Sequence, residues 1–358
     1  MKFISILSIG ILFSLSGFAQ EEKLINEAWK GFSDPQIFGS GFTHKLNDLP
    51  LEGNVDLGNR AWSGDYWSAK KGSINYRWNA PTKIGYKLVS PSKAEAQKMT
   101  EAELATLAPS EKLDLLMSRY DYPLVREVDG VATPTASIWA GICHGWSPAT
   151  LYHNEPAPKL LTNAEGVKVP FGSGDIKALI SYYYAFHHDA GSDQMGLRCF
   201  FGPWTGGAAA RGCQEDLNAG AFHIVLANKV GLQKEGFVMD MDRYREVWNH
   251  PIIGYKSTVV ANNLQPSRDA ATTAVKEIRV KTVITHADGS APTWGTVIGT
   301  DNQKTGTQEY TYRLELNNEG KIVGGTWESA KRPDFIWNVP RATEFSGLFT
   351  ALPVLLND

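Results

Sequence analysis

Apolar residues in this chain keep a helical spacing from about residue 100 to residue 183 and a spacing of two from residue 222 onward. That single change limits the fold classes open to it. Thr100 and Glu103 have the spacing of a capping box. Leu113, Leu116, Met117 and Tyr120 then mark one face of a second helix. Ser173-Gly-Asp175 opens another, with Ile176, Leu179, Ile180 and Tyr183 as its buried face. Later, Phe222, Ile224 and Leu226 alternate with His223 and Val225, and Phe237, Met239 and Met241 alternate with Val238, Asp240 and Asp242. The segment from Asn228 to Gly236 supplies a turn, so these two runs are predicted to form an antiparallel hairpin. Two more strands are predicted at Ile278 to Ile284 and at Tyr310 to Leu316, the latter ending in the turn Asn317-Asn-Glu-Gly320. Helices first and strands afterwards predict an α+β fold rather than alternating βαβ units.

The N-terminus sets the expected address. Lys2 precedes a short apolar run, Phe3 to Phe18, which ends in Gly17-Phe-Ala19 and is followed by Glu21-Glu22. The run is too short for a membrane span and has the layout of a signal peptide cleaved after Ala19, so a secreted or periplasmic protein is expected. No cysteine follows the site to carry a lipid. Residues 20–130 read as an irregular and helical N-terminal region, 131–258 as the core that carries chemistry, and 259–358 as a β-rich extension packed on it. A net charge of −3 gives no electrostatic case for nucleic acid, and nothing later is apolar enough to make an integral membrane protein.

Three cysteines are present: Cys143, Cys199 and Cys213. In an oxidising compartment Cys199 and Cys213, which flank a Gly- and Ala-rich loop, are expected to form a disulfide and leave Cys143 free. Cys143 lies in Gly141-Ile-Cys-His-Gly-Trp-Ser-Pro148, at an expected helix N-terminus, where the helix dipole and unpaired N–H groups lower a thiol pKa. A cysteine nucleophile also needs a base and a group to orient that base. His144 is adjacent and points elsewhere on the helix. His223, on a predicted strand, is the better base, and Asp240 or Asp242 on the neighbouring strand would lie about 5 Å away. Against this stand a buried, inert Cys143 and a His223 satisfied by backbone. The backbone N–H of Cys143 is the default oxyanion donor, with Trp139 or Trp146 as possible second donors.

Cysteine on a helix, then histidine and aspartate on antiparallel strands, is similar to the order in papain-like and transglutaminase-like enzymes. A closer resemblance lies in Val247-Trp-Asn-His-Pro-Ile-Ile-Gly-Tyr-Lys256. It resembles the surface peptide Val-Trp-Asn-x-Pro-x-x-Gly-aromatic-Lys of the oomycete calcium-dependent transglutaminases that elicit plant defence. The segments from Gly141 to Ala149, from Glu215 to Leu226, Gly324-Gly-Thr-Trp with Arg332-Pro-Asp334, and the aromatic stretch from Trp62 to Trp78 resemble the same family, in the same order.

The resemblance implies a papain/transglutaminase-like core and acyl transfer: a thiolate attacks a protein glutamine, ammonia leaves, and an amine resolves the thioester. It assigns Cys143 as nucleophile, His223 as base and Asp240 as orienting group, with Asp242 as rival. Partners would be a glutamine-bearing protein or peptide and an amine acceptor. Calcium is implied by the resemblance alone, its ligands are unknown, and no organic cofactor is called for. His188-Asp-Ala-Gly-Ser-Asp193 is a possible calcium stretch, and His187-His188-Asp189 lacks partner ligands at zinc spacing. The peptide departs from the family at His250, Ile252 and Ile253, so recognition by plant receptors does not carry over. The competing readings are a cysteine peptidase, amidase or glutamine deamidase on the same scaffold, and a non-catalytic exported wall- or carbohydrate-binding protein using its tryptophans.

Overall fold

The computed structural model describes residues 29, 31–199 and 217–356. The expected signal peptide 1–19 lies outside them, as does Cys213 and with it the expected bridge to Cys199.

The chain is a mixed α+β fold built on one large antiparallel sheet. Its strands are β1 (Glu52–Asn54), β2 (Lys159–Thr162), β3 (Lys168–Phe171), β4 (Asp193–Met195), β5 (Phe237–Asp240), β6 (Asn249–Leu264), β7 (Lys276–Ala287), β8 (Thr305–Leu316), β9 (Ile322–Trp327) and β10 (Ile336–Asn338). The sheet runs β4-β10-β5-β6-β7-β8-β9, and β1 joins β6 at Gly254 to Lys256, beyond the stretch that β5 covers. Strands β2 and β3 form a separate hairpin. The helices that matter below are α1 (Pro109–Leu116), α2 (Pro123–Val131), α3 (Cys143–Tyr152), α4 (Ser173–Phe186) and α5 (Ala219–Leu226).

Several sequence signals are realised as read. Thr100 closes a capping box with Glu103 on a four-residue helical turn, Glu101–Leu104. Helix α4 begins at Ser173 and buries Ile176, Leu179, Ile180 and Tyr183. Strands β7 and β8 contain the two late β predictions, and Asn317 shapes the turn after β8 by accepting from the Glu319 and Lys321 amides. Strand β6 runs through residue 258, so one continuous sheet carries strands from both sides of that expected boundary.

The predicted hairpin of 222–226 with 237–241 does not form. The first run is helix α5, because Asn218 caps it: its Oδ1 accepts from Gly220 N at 2.8 Å and Ala221 N at 3.3 Å. Every residue from Ala219 to Leu226 is buried, and a short run that is apolar apart from His223 does not tell a buried helix from a strand. Helix α5 packs on β8 and β9, with Phe222 edge-on to Tyr310 and Tyr312. Only the second run is a strand, β5, and its partners are β6 and β10.

Two cores result. One joins α5 to the sheet, and the other joins α1, α2, α4 and the aromatic segment around Trp62 and Trp78. Helix α3 lies in the seam. Trp146 and Ala149 belong to the helical core and Leu151 to the sheet core, while Ser147 Oγ donates to Asn249 O at 2.9 Å. Gly145 lets α3 meet α4 directly, since a Cβ there would lie 1.9 Å from Ser181 O.

A buried ion pair fixes the walls of this seam. Lys177 Nζ on α4 meets Glu155 Oε1 at 2.5 Å and donates to Ser63 O at 3.1 Å. Glu155 accepts in turn from Val297 N at 2.6 Å and Ile298 N at 2.9 Å. Removing one member leaves the other charged and buried, so Lys177→Met should cost about 3–5 kcal/mol of stability. The exposed pair Lys256–Glu52 is the control, and Lys256→Ala should change little. Denaturant unfolding of both variants decides the matter, and equal losses would refute the assignment.

Candidate active site

Cys143 is the first residue of α3, and it is a free thiol only 6% exposed. It sits where two cavities meet. The first, of about 360 Å³, is walled by Gly64, Asp65, Tyr66, Trp146, Trp248, Asn249, His250 and residues 288–291. The second, of about 340 Å³, is lined by Trp139, Ala140, Gly141, His144, Arg198, Val247, Asn249 and Phe335. Cys143 and Asn249 are common to both.

The segment leading into β6 forms the thiol's surroundings. Cys143 Sγ lies 3.8 Å from Val247 O and 3.7 Å from Asn249 Nδ2. Asn249 is held in that orientation because its Oδ1 accepts from Trp337 Nε1 at 2.8 Å. Trp248 stands edge-on to Tyr66 at 5.4 Å, and the pair flanks the first cavity.

The resting thiol differs from the expected one. Burial raises its pKa, contacts from Asn249 and the His144 backbone lower it, and the Asp240 carboxylate raises it again. Desolvation therefore outweighs the helix N-terminus, and the thiol rests protonated. Asp240 is itself pushed up to about 8, by burial first and then by Asp334 and Asp242. Its Oδ1 accepts from Trp248 N at 3.1 Å, and its Oδ2 has no hydrogen-bond partner.

His223 is not brought to the thiol. It lies on helix α5 rather than on a strand, fully buried, with Nδ1 2.8 Å from the Tyr312 hydroxyl, and it lines neither cavity. Helix α5 packs on β8 and β9, whereas α3 packs on α4, β5 and β6. Asp240 is beside Cys143 but not paired with His223. Asp242 lies past the end of β5 and meets Lys331 Nζ at 3.5 Å. Both tryptophans singled out as oxyanion donors do line the site. Trp146 faces the first cavity with a buried, unpartnered Nε1, and Trp139 faces the second. His144 lines the second cavity and packs edge-on against Phe186.

The histidine that shares the first cavity with Cys143 is His250, which sequence reasoning passed over. Its Nδ1 is buried without a partner, and burial pushes its pKa down to about 4, while Asp288 pulls it upward. A neutral imidazole at neutral pH is a proton acceptor. The signal for it was the departure from the family peptide at position 250. Asn249 was visible only as the fixed asparagine of that peptide, and Asp288 carried no signal of its own.

The calcium stretch offers no cage. Asp189 and Asp193 are exposed, His188 Nε2 meets Pro340 O, and His187 Nε2 meets Glu127. Among the described residues no three acidic side chains bring their oxygens together, so no calcium ligand set is assigned.

The raised Asp240 pKa has a pH consequence. The folded protein holds a proton that the unfolded chain releases above its ordinary value of 3.8, so stability should fall as pH rises from about 4 towards about 8. Asp240→Asn should flatten that fall in denaturant melts and shift Cys143 alkylation by iodoacetamide to lower pH. Unchanged curves for both readouts would contradict the account.

The transglutaminase elicitor family model matches residues 126–348, well over half of the 358-residue chain. The crystal structure of the GP42 transglutaminase from Phytophthora sojae superposes with a TM-score of 0.66 at 22% identity. The match covers 89% of this chain and 94% of that one, and at such identity the likeness concerns the fold. No curated protein matches the sequence. With its fold shared along nearly the whole chain and its free thiol at the head of α3, the chain belongs to the transglutaminase elicitor family.

Proposed function

We propose that the protein is an exported protein-glutamine γ-glutamyltransferase, secreted or periplasmic, in which Cys143 is the nucleophile and His250 the general base. The observation that carries this reading is the position of the thiol. It lies at the junction of two cavities, one of which it shares with a neutral histidine. A cysteine-bearing helix packed on an antiparallel sheet supports a papain/transglutaminase-like core. The apolar run within residues 1–19 supports export.

The glutamine side chain enters the first cavity between Tyr66 and Trp248, whose rings cover its methylenes. Cys143 gives its proton to His250 as Sγ bonds to the γ-carbonyl carbon, and the electron pair moves to oxygen. The N–H at the head of α3 and the Trp146 indole N–H face that oxyanion, and Asn249 Nδ2 steadies the sulfur. His250 returns the proton to nitrogen, the C–N bond breaks and ammonia leaves a thioester. An amine from the second cavity then attacks the thioester carbon and passes a proton to His250. The C–S bond breaks, the thiol regains its proton and an isopeptide remains. Asp288, near His250, favours the imidazolium formed along the way. Asp240 acts as a neutral neighbour that keeps negative charge away from the sulfur near neutral pH.

The test is incorporation of a labelled primary amine into a glutamine-containing casein. Cys143→Ala should abolish it, and His250→Gln should lower it by about 10²–10⁴-fold. His223→Gln, remote from the thiol, should alter stability more than turnover. The reverse ranking of the two histidine variants would move the base to His223. Cysteine-dependent ammonia release without amine uptake would make the enzyme a deamidase.

A further inference from the structure

Two histidines and an aspartate converge beside the first cavity, which His250 and Asp288 line, in an arrangement that acyl transfer does not require. His286 is the penultimate residue of β7, Asp288 follows that strand, and His250 is near the start of β6. One ligand atom from each lies within 4.8 Å of the other two. The imidazoles of His250 and His286 stand edge to face, centroids 4.4 Å apart.

The surroundings prepare these groups as ligands. His286 Nδ1 lies 3.0 Å from Ala287 O, so Nδ1 carries the proton and Nε2 keeps its lone pair. That ring lies over Gly306 on β8, where a Cβ would come within 2.5 Å of Nε2, so the strand is cut away beneath it. His250 Nδ1 is buried and unpartnered. Asp288 Oδ1 accepts from Gly289 N at 2.8 Å, which fixes the carboxylate at the cavity edge. Two nitrogen donors and one oxygen suit a borderline metal ion such as zinc rather than calcium, and three protein ligands leave a position for water. Donors around a tetrahedral zinc lie about 3.3 Å apart, so modest ring rotations close the set.

We infer that His250, His286 and Asp288 bind a divalent transition-metal ion such as zinc, and that the ion switches the thiol site off by withdrawing His250 from Cys143. The switch rests on the reading of His250 as base, whereas the binding site does not.

The test is a titration of chelator-stripped full-length protein with cobalt(II), read by its visible d–d absorption and competed with zinc. Wild type and Cys143→Ala should each bind one ion with equal affinity. His286→Gln and Asp288→Asn should each weaken binding by more than the roughly 10–100-fold that loss of an outer-shell partner costs. Thermal melts confirm that the variants are folded, and Asp288, at the rim, is the safer of the two. Absent binding, or wild-type affinity in both variants, overturns the site. Binding that disappears in Cys143→Ala also overturns it, because the cysteine would then be the ligand. Stoichiometric zinc should further suppress iodoacetamide alkylation of wild-type Cys143 at neutral pH, reversed by chelator and blunted in Asp288→Asn. Metal that binds without slowing alkylation overturns the switch. The cobalt titration in Cys143→Ala needs no turnover, so its outcome is independent of whether the transferase reading survives.

Discussion

A lysine and a glutamate buried against each other decide where the walls of the thiol site stand. Lys177 reaches from α4 to the Ser63 carbonyl, and Glu155 holds the Val297 and Ile298 amides. The Trp62 ring covers the ammonium at 5.1 Å. Four stretches separated in sequence are thereby joined at one point. Two of them continue directly into the first cavity, as Gly64 to Tyr66 and as residues 288–291, which are also stitched together by Ser290 N donating to Gly64 O. Burial pulls the lysine pKa down and Glu155 pulls it back up, the balance that keeps such a pair intact inside a protein.

Around the sulfur the electrostatics run the other way. Burial leaves the thiol protonated, His250 neutral and Asp240 protonated near neutral pH, so these three groups carry no charge in the resting site. On the proposed mechanism, moving a proton from Cys143 to His250 would create an ion pair in a poorly solvated place. That step would become favourable as the sulfur commits its electrons to the substrate carbon, with Asp288 facing the new imidazolium. A site of this kind is quiet until it is filled.

The sequence made some of this plain and hid the rest for identifiable reasons. Cys143 at a helix start, the Thr100 capping box, the start of α4 and strands β7 and β8 were all legible, because each has a local chemical cause. Helix α5 was misread because a short run that is apolar apart from His223 does not tell a helix from a strand. The informative residue was Asn218, a strong N-cap just ahead of it. His223 moved with the helix: it faces Tyr312, and the histidine that lines the first cavity together with Cys143 is His250. His250 and Asp288 come together only through the pairing of β6 with β7, a long-range register that one sequence does not expose. The Trp-Asn-His segment, read as a surface peptide, proved to be the wall of the site.

Strand β10 sits between β4 and β5, and it carries Trp337, the group that orients Asn249 toward the sulfur. These residues lie within the last tenth of the chain. The strand that frames the cysteine therefore lies far downstream of it in sequence. Pairings so far apart in sequence form slowly. Until they do, the Asn249 amide lacks the Trp337 contact that orients it, and the wall of the thiol site is incomplete.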